Sequence, residues 1–381
     1  MKIAIINITG GGMSGGYKEY LKSIIPRIAT YPEIEKVLCM SPKSLNIQDW
    51  FQPLYNVKFI NCKPFKYLFY GINPNLKRYL EDFSPDVIFI PVERFLRFKN
   101  VPTINMVQNM EPFVVIGNNL LSEKFRMWIQ KIIGKNSVEK SDRTIVLSKY
   151  SRDLFVKRYN ISANKIGLIY HGISLWDKDV YPPKPIPREW DNHFLFTAGS
   201  IRPARGIEDI LHALKYFLDN SLNIPNLIIA GETIPRMSKY KKKLENWIQQ
   251  NNLSSKIYWA GKLNKAEMNW CYRNCQAFIM TSRVESFGMI ALESIANGCF
   301  CISSDSTCLP EILDNAAIFY PSQNPKILAR KINEVLNWPR QKKQEMYQLA
   351  LKRTSYFNWD KCVGQIMSEL KKVINESKKV L

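Results

Sequence analysis

The sequence predicts an α/β protein of two doubly wound domains facing each other across a cleft. Three observations carry that reading. Short apolar β-type runs alternate with longer amphipathic segments, and the alternation runs through twice. A proline-rich seam separates the two rounds. Each round opens with a strand that leads into a loop of small or basic residues.

In the first round, residues 3–6, 87–90, 103–107, 144–147 and 166–170 read as buried strands. Segments near 17–28, 123–133 and 149–158 read as helices. At the seam, Tyr181-Pro182-Pro183-Lys184-Pro185-Ile186-Pro187 holds four prolines, which neither a helix nor a central strand accepts, so it predicts a stiff linker. The second round supplies strands at 194–198, 227–230, 257–259, 277–280 and 300–303, with helices between them. A final helix is expected from Asn358. In open α/β sheets, ligands bind beyond the carboxyl ends of the strands, so the loops there are the ones to search.

Composition narrows the classes. The chain has 381 residues, 46% hydrophobic and 12% aromatic, which excludes a largely disordered protein and favours two domains. Lys and Arg number 54 against 33 acidic residues, a formal charge of +21, and both halves are basic. Such an excess implies an anionic partner: nucleic acid, an acidic membrane or a phosphorylated substrate. No window is apolar for the length of a membrane span, and the N-terminal apolar run is too short for a secretory signal. The eight cysteines are scattered, and His171, His193 and His212 lie apart from them, so buried reduced thiols are expected rather than a metal site.

Three loops carry chemistry. After the first strand comes Thr9-Gly10-Gly11-Gly12-Met13-Ser14-Gly15-Gly16, then a helix near Tyr17. Glycines let backbone amides and a helix N-terminus approach a phosphate. No Gly-Lys-Ser/Thr closes the loop, so it is not a P-loop. After the strand at 194–198, Gly199-Ser200-Ile201-Arg202-Pro203-Ala204-Arg205-Gly206 offers two guanidinium groups suited to phosphate oxygens. After the strand at 277–280, Glu285-Ser286-Phe287-Gly288-Met289 leads into a helix that carries Glu293. Leu292 and Ile295 point to the core, which puts Glu293 near an apolar face. Carboxylates of this kind accept paired hydrogen bonds from a vicinal diol, as in ribose or a hexose. Nothing pairs the two as a glycosidase acid and base.

The stretch from Glu285 to Glu293, with Ser294, Ala296 and Gly298, then Ile302-Ser303-Ser304 and Leu309-Pro310-Glu311, resembles the retaining nucleotide-sugar glycosyltransferases of family 4, the group 1 class. The likeness extends through residues 199–206, 227–231 and 257–261, and more weakly through the first half. It implies a GT-B fold: an N-terminal acceptor-binding domain (1–178), a linker (179–192), a nucleotide-sugar-binding domain (193–357) and a helix (358–381) crossing back to the first domain. It implies a hexosyltransferase working without a metal or other cofactor, with the nucleotide-diphospho-sugar as substrate and a saccharide or lipid-linked acceptor.

The same resemblance assigns roles. Arg205 neutralises the donor diphosphate, Glu293 binds ribose and Glu285 holds donor-sugar hydroxyls. Backbone amides at Phe287, Gly288 and Met289 face the sugar and phosphates, as do Gly12, Gly15 and Gly16 of the first loop. Two departures stand out. Many relatives have Arg where this chain has Ser200, which leaves Arg202 to replace it. Many have His where this chain has Gln108, which can hydrogen-bond a sugar but cannot shuttle a proton. Asn109 and Glu111 follow as acceptor-side candidates, Glu111 being equally readable as a loop or capping residue.

Two basic aromatic stretches, 58–79 and 123–133, raise an anionic membrane surface. Membrane or acceptor contact is favoured for the first. For the second, Phe125, Trp128, Ile129 and Ile132 are expected to face the core. The resulting expectation is a cytoplasmic enzyme, peripheral on the inner face of the plasma membrane, in cell-envelope polysaccharide or lipopolysaccharide assembly. The rivals are a basic nucleic-acid-binding protein, against which stands the lack of any recognisable module, and another GT-B enzyme such as an epimerase.

Overall fold

A computed structural model describes residues 1–7, 15–62, 74–114, 121–174, 180–184, 186–187, 190 and 192–380. The chain divides into two compact units. The first comprises Met1–Phe113, Leu121–Gly172 and Phe357–Leu381; the second comprises Ile173–Tyr356 with Val114–Leu120.

Seven strands form the first sheet: β1 (Lys2–Ile6), β2 (Lys36–Pro42), β3 (Val57–Cys62), β4 (Val87–Ile90), β5 (Thr103–Val107), β6 (Arg143–Val146) and β7 (Ile166–Leu168). Their order is β3-β2-β1-β4-β5-β6-β7 and every pair is parallel. Helices α1 (Gly15–Ala29), α2 (Pro74–Phe83), α3 (Leu121–Lys140) and α4 (Lys149–Asp153) connect them. Strands β1 and β4 are the near-continuous apolar stretches that a sheet covered on both faces requires, while β5 and β6 are equally buried but include Thr103, Asn105, Arg143 and Thr144.

The second unit repeats the plan with six strands: β8 (Phe194–Ala198), β9 (Asn226–Ala230), β10 (Ile257–Gly261), β11 (Ala277–Met280), β12 (Cys301–Ser304) and β13 (Ala317–Tyr320). Their order is β10-β9-β8-β11-β12-β13, again all parallel. Helices α5 (Ile207–Asp219), α6 (Ser238–Gln250), α7 (Lys265–Asn274), α8 (Met289–Ala296), α9 (Leu309–Leu313), α10 (Pro325–Leu336) and α11 (Arg340–Thr354) complete it. Leu195, Ile210, Leu214, Ile229, Ile279 and Ile332 form part of its core. In both sheets the first strand is central and the winding reverses beside it. Strand β8 therefore borders β9 on one side and β11, far along the chain, on the other.

The last helix, α12 (Trp359–Val380), belongs to the first unit. Arg27 pairs with Asp360 at 2.7 Å, and Arg143 pairs with Glu369. Trp359 and Tyr20 flank His171, with ring centroids 5.7 and 4.6 Å from it. A Cβ on Gly172 would come within 2.3 Å of the Trp359 amide, so glycine is what lets this helix seat. Burial pushes the His171 pKa down to about 3. The folded state holds a neutral imidazole that the unfolded chain protonates below its ordinary pKa. Stability is therefore lost as pH falls from the ordinary histidine range toward the folded value. A loss of about 2 kcal/mol between roughly pH 6.5 and 4.5 is expected. Denaturant unfolding at both pH values should show it in the wild type and not in His171→Leu.

One expectation changes. Residues 58–62 are the edge strand β3, where Phe59 stacks on Phe51 at 5.6 Å, and residues 63–73 of that stretch lie outside the described residues. On α3, the helix turns Glu123, Met127 and Val138 inward, while Phe125, Trp128 and Ile132 are 63%, 57% and 41% exposed. Those three side chains do not face the core. Both sides of α3 carry apolar residues, so periodicity alone does not say which side is covered.

All eight cysteines are free thiols. Burial raises the Cys39 thiol to about 12, which keeps it protonated and unreactive. No described helix is long and apolar enough to cross a membrane.

Candidate active site

The geometry of the second unit begins with its glycines. Strand β8 is followed by Gly199, whose φ of 131° suits glycine, and a Cβ there would come within 2.8 Å of Arg205 Nε. The missing side chain lets the guanidinium lie against the strand end. The chain then passes Ser200 and Arg202, both partly buried, makes a 3-10 turn over Pro203–Arg205, and enters α5 through Gly206 at φ 61°. A Cβ on Gly206 would meet the Thr281 carbonyl oxygen at 2.3 Å, so the β8 and β11 loops touch through backbone alone.

Polar contacts bind the two loops further. The Arg283 amide donates to the Ala204 carbonyl at 2.8 Å, and Thr281 Oγ1 donates to the Arg205 carbonyl at 2.7 Å. Arg205 Nη1 donates to Ser282 Oγ at 3.1 Å and pairs with Glu285 Oε1. Both side chains of that pair are mostly buried, 17% and 14% exposed. Thr307 braces Glu285 from a third loop. Its hydroxyl accepts from the Glu285 amide at 3.0 Å and donates to the Glu285 carbonyl at 3.1 Å. A small recess opens here at the carboxyl ends of the strands, lined by Ala198, Gly199, Arg205, Ala230, Met280 and Ser282.

Beneath the recess lies a buried ion pair. Asp209, in the first turn of α5, receives Arg283 bidentately at 2.6 and 2.7 Å, the Tyr320 hydroxyl at 2.9 Å and the Gln323 amide at 3.0 Å. The donors come from the loop after β11 and from the end of β13 with the loop that follows it. Asp209, Arg283 and Thr307 are residues that sequence reasoning missed.

Helix α8 starts from Gly288, and its second turn brings in Glu293 five residues on. Glu293 is 7% exposed, flanked by the core residues Leu292 and Ile295. Burial, and after it the charge of Glu293, raises the Tyr272 phenol above its ordinary value. Phe287 is a core side chain, 1% exposed, so only its backbone is available to a ligand; Met289 is partly buried at the helix start.

In the first unit, Gln108 and Asn109 follow β5. Their amides both donate to Glu93 Oε1, and Asn109 Oδ1 accepts from the Glu111 amide at 3.0 Å. Glu111 opens a buried 3-10 turn over Glu111–Phe113. Burial pushes the Glu93 carboxyl above its ordinary value, while the two amides and Arg94 pull it down. Glu93 was not singled out in the sequence, because nothing local marks it. Gly15 and Gly16 are exposed in the first turn of α1, where an added Cβ would meet nothing within 4 Å; Gly12 lies outside the described residues.

Each unit is a Rossmann-like parallel sheet, and in the second a basic and an acidic side chain meet at the switch point, the plan of a GT-B architecture. Two solved structures share the fold. One is sucrose-phosphate synthase from Thermosynechococcus elongatus, with a TM-score of 0.76 at 17% identity over 99% of this chain and 100% of that one. The other is Anabaena HepE in complex with UDP-glucose, with a TM-score of 0.72 at 16% identity over 98% and 100%. The family model for glycosyl transferases group 1 matches residues 183–353, and that for glycosyltransferase family 4 matches residues 36–176. The chain belongs to the group 1, family 4 glycosyltransferases.

Among curated relatives, an uncharacterised glycosyltransferase of Methanocaldococcus jannaschii is 28% identical over 231 residues, 60% of this chain and 59% of that one. The O-antigen chain mannosyltransferase RfbU of Salmonella typhimurium is 24% identical over 233 residues, 61% of this chain and 60% of that one. The match thus spans about three-fifths of these relatives' length.

Proposed function

We propose that this glycosyltransferase moves a hexosyl group from a nucleotide-diphospho-sugar to a saccharide or lipid-linked acceptor, with retention of configuration and without a metal, in cell-envelope polysaccharide or lipopolysaccharide assembly. The observation that carries the donor reading is the Arg205–Glu285 pair at the carboxyl ends of β8 and β11. A guanidinium there matches diphosphate oxygens, and a carboxylate beside it matches sugar hydroxyls. Arg202 adds a second cation on the same loop. The acceptor side is assigned to Gln108, Asn109 and Glu111. The O-antigen role of RfbU and the UDP-glucose bound by HepE support the choice of pathway and donor class.

In this reading the bond between the anomeric carbon and the diphosphate breaks as the acceptor oxygen bonds to that carbon from the same face. The acceptor proton passes to a departing phosphate oxygen. Negative charge grows on the diphosphate, and Arg205 meets it already oriented by Ser282 and Glu285, so little reorganisation is left to the reaction itself.

The test is nucleotide release from a panel of UDP-, GDP- and ADP-sugars, with and without a chelator. One donor should turn over, and the chelator should leave the rate unchanged; a strict divalent-ion requirement removes the metal-free mechanism. Glu293→Gln should raise the donor KM about tenfold or more while kcat changes little, as loss of binding shared by ground and transition states predicts. An unchanged KM removes Glu293 from the donor site.

A further inference from the structure

We infer that the outward face of α3 is a seat for an anionic lipid bilayer. Phe125, Trp128 and Ile132 follow one another at helical spacings of three and four, and all three are exposed. The Phe125 and Trp128 rings stack, with centroids 5.9 Å apart and planes 24° from parallel, so they form one apolar ridge. The opposite side of the helix is anchored by Met127, Gly134 and Val138 in the unit's interior. The ridge is therefore fixed pointing outward.

Charge selects the occupant. Lys124, Lys131 and Lys135 run along one flank of the ridge at helical spacing. The acidic residues of the helix are accounted for. Glu123 is turned inward and pairs with Arg126 at 2.7 Å, and Glu139 pairs with Lys135 at 3.2 Å. Lys124 and Lys131 remain as the cationic rim, the ammonium of Lys131 lying 5.6 Å from the Tyr159 ring. A Trp–Phe–Ile ridge bordered by lysines suits the headgroup boundary of an acidic bilayer: rings enter the acyl edge while ammonium groups stay with the phosphates. The formal charge of +21 reinforces attraction to such a surface. This inference does not depend on the donor reading, because lipid binding is measured with no sugar nucleotide present.

The experiment is vesicle co-sedimentation of the full chain. Vesicles of phosphatidylcholine alone are compared with vesicles in which about a third is phosphatidylglycerol, at about 0.05 M and about 0.5 M salt. The wild type should partition onto the acidic vesicles at low salt and much less at high salt. Phe125→Ser/Trp128→Ser/Ile132→Ser should lower partitioning on the order of a hundredfold through loss of the buried apolar area. Lys124→Gln/Lys131→Gln should lower it about thirtyfold at low salt, and by less at high salt. All five positions lie on the outer side of α3, so thermal unfolding midpoints should stay near the wild type. If the triple variant fails to fold, the lysine pair and the wild-type salt dependence still decide. The inference is overturned if the wild type ignores acidic vesicles at low salt, or if both variants bind as it does. It is also overturned if the ridge instead drives self-association without lipid binding.

Discussion

Arg205→Ala should lower kcat on the order of a thousandfold, the scale of removing one fixed donor to a growing anion. The guanidinium is held on three sides: by Gly199, by Ser282 Oγ at 3.1 Å and by Glu285. Arg205→Lys should recover only part of the rate, since an ammonium carries the charge but not the planar fork. A structural cost accompanies the change. Without Arg205, the Glu285 carboxylate is left mostly buried beside no cation, and stability should fall. Arg205→Ala/Glu285→Gln isolates the structural cost: stability returns toward the wild type, because the lost stability belongs to the carboxylate left without its cation. Wild-type kcat in purified, folded Arg205→Ala would remove this residue from the chemistry.

The second large effect is expected at Asp209. Asp209→Ala leaves Arg283 charged and mostly buried, with a Ser322 hydroxyl at 3.4 Å in place of a bidentate carboxylate. Breaking a buried pair on one side costs about 3 to 5 kcal/mol. For a unit of this size that corresponds to roughly a 10 °C drop in unfolding midpoint. The same carboxylate also receives Tyr320 and the Gln323 amide, so its loss leaves two further donors unmet. Asp209→Leu/Arg283→Leu should be more stable than either single change, because no buried charge is left alone. Calorimetry of the four proteins completes the cycle; equal midpoints for wild type and Asp209→Ala would contradict it. Turnover should suffer in the single variants too, since Arg283 anchors the loop that carries Glu285.

How much of this was legible can be argued residue by residue. The buried strands announce themselves as short apolar runs, as at 87–90 and 277–280, because a sheet covered on both faces needs no alternation. Strands β2, β3 and β13 were passed over: β2 ends in Pro42, β3 is an edge strand interrupted by Lys58 and Asn61, and β13 is the partly exposed edge of the second sheet. The carboxylates Glu285 and Glu293 stand out because their spacing places one in the loop and one on the following helix. Asp209 did not, since a carboxylate in the first turn of a helix reads as a dipole partner. Its actual partner is 74 residues away. Thr307 and Glu93 were invisible for the same reason: each acts on backbone brought near only by neighbouring strands.

Local chemistry along the chain was enough to determine two rounds of strand and helix, and to single out a proline-rich stretch between them and side chains chemically suited to a phosphate and a sugar. Those properties depend on residues within a few positions of one another. The tertiary structure alone decided that Arg205 meets Glu285, that Arg283 is buried against Asp209, and that α3 turns its aromatic ridge outward. Each is a choice among faces and partners that short-range periodicity leaves equal, and it is made only when strands distant in sequence, such as β8 and β11, lie side by side.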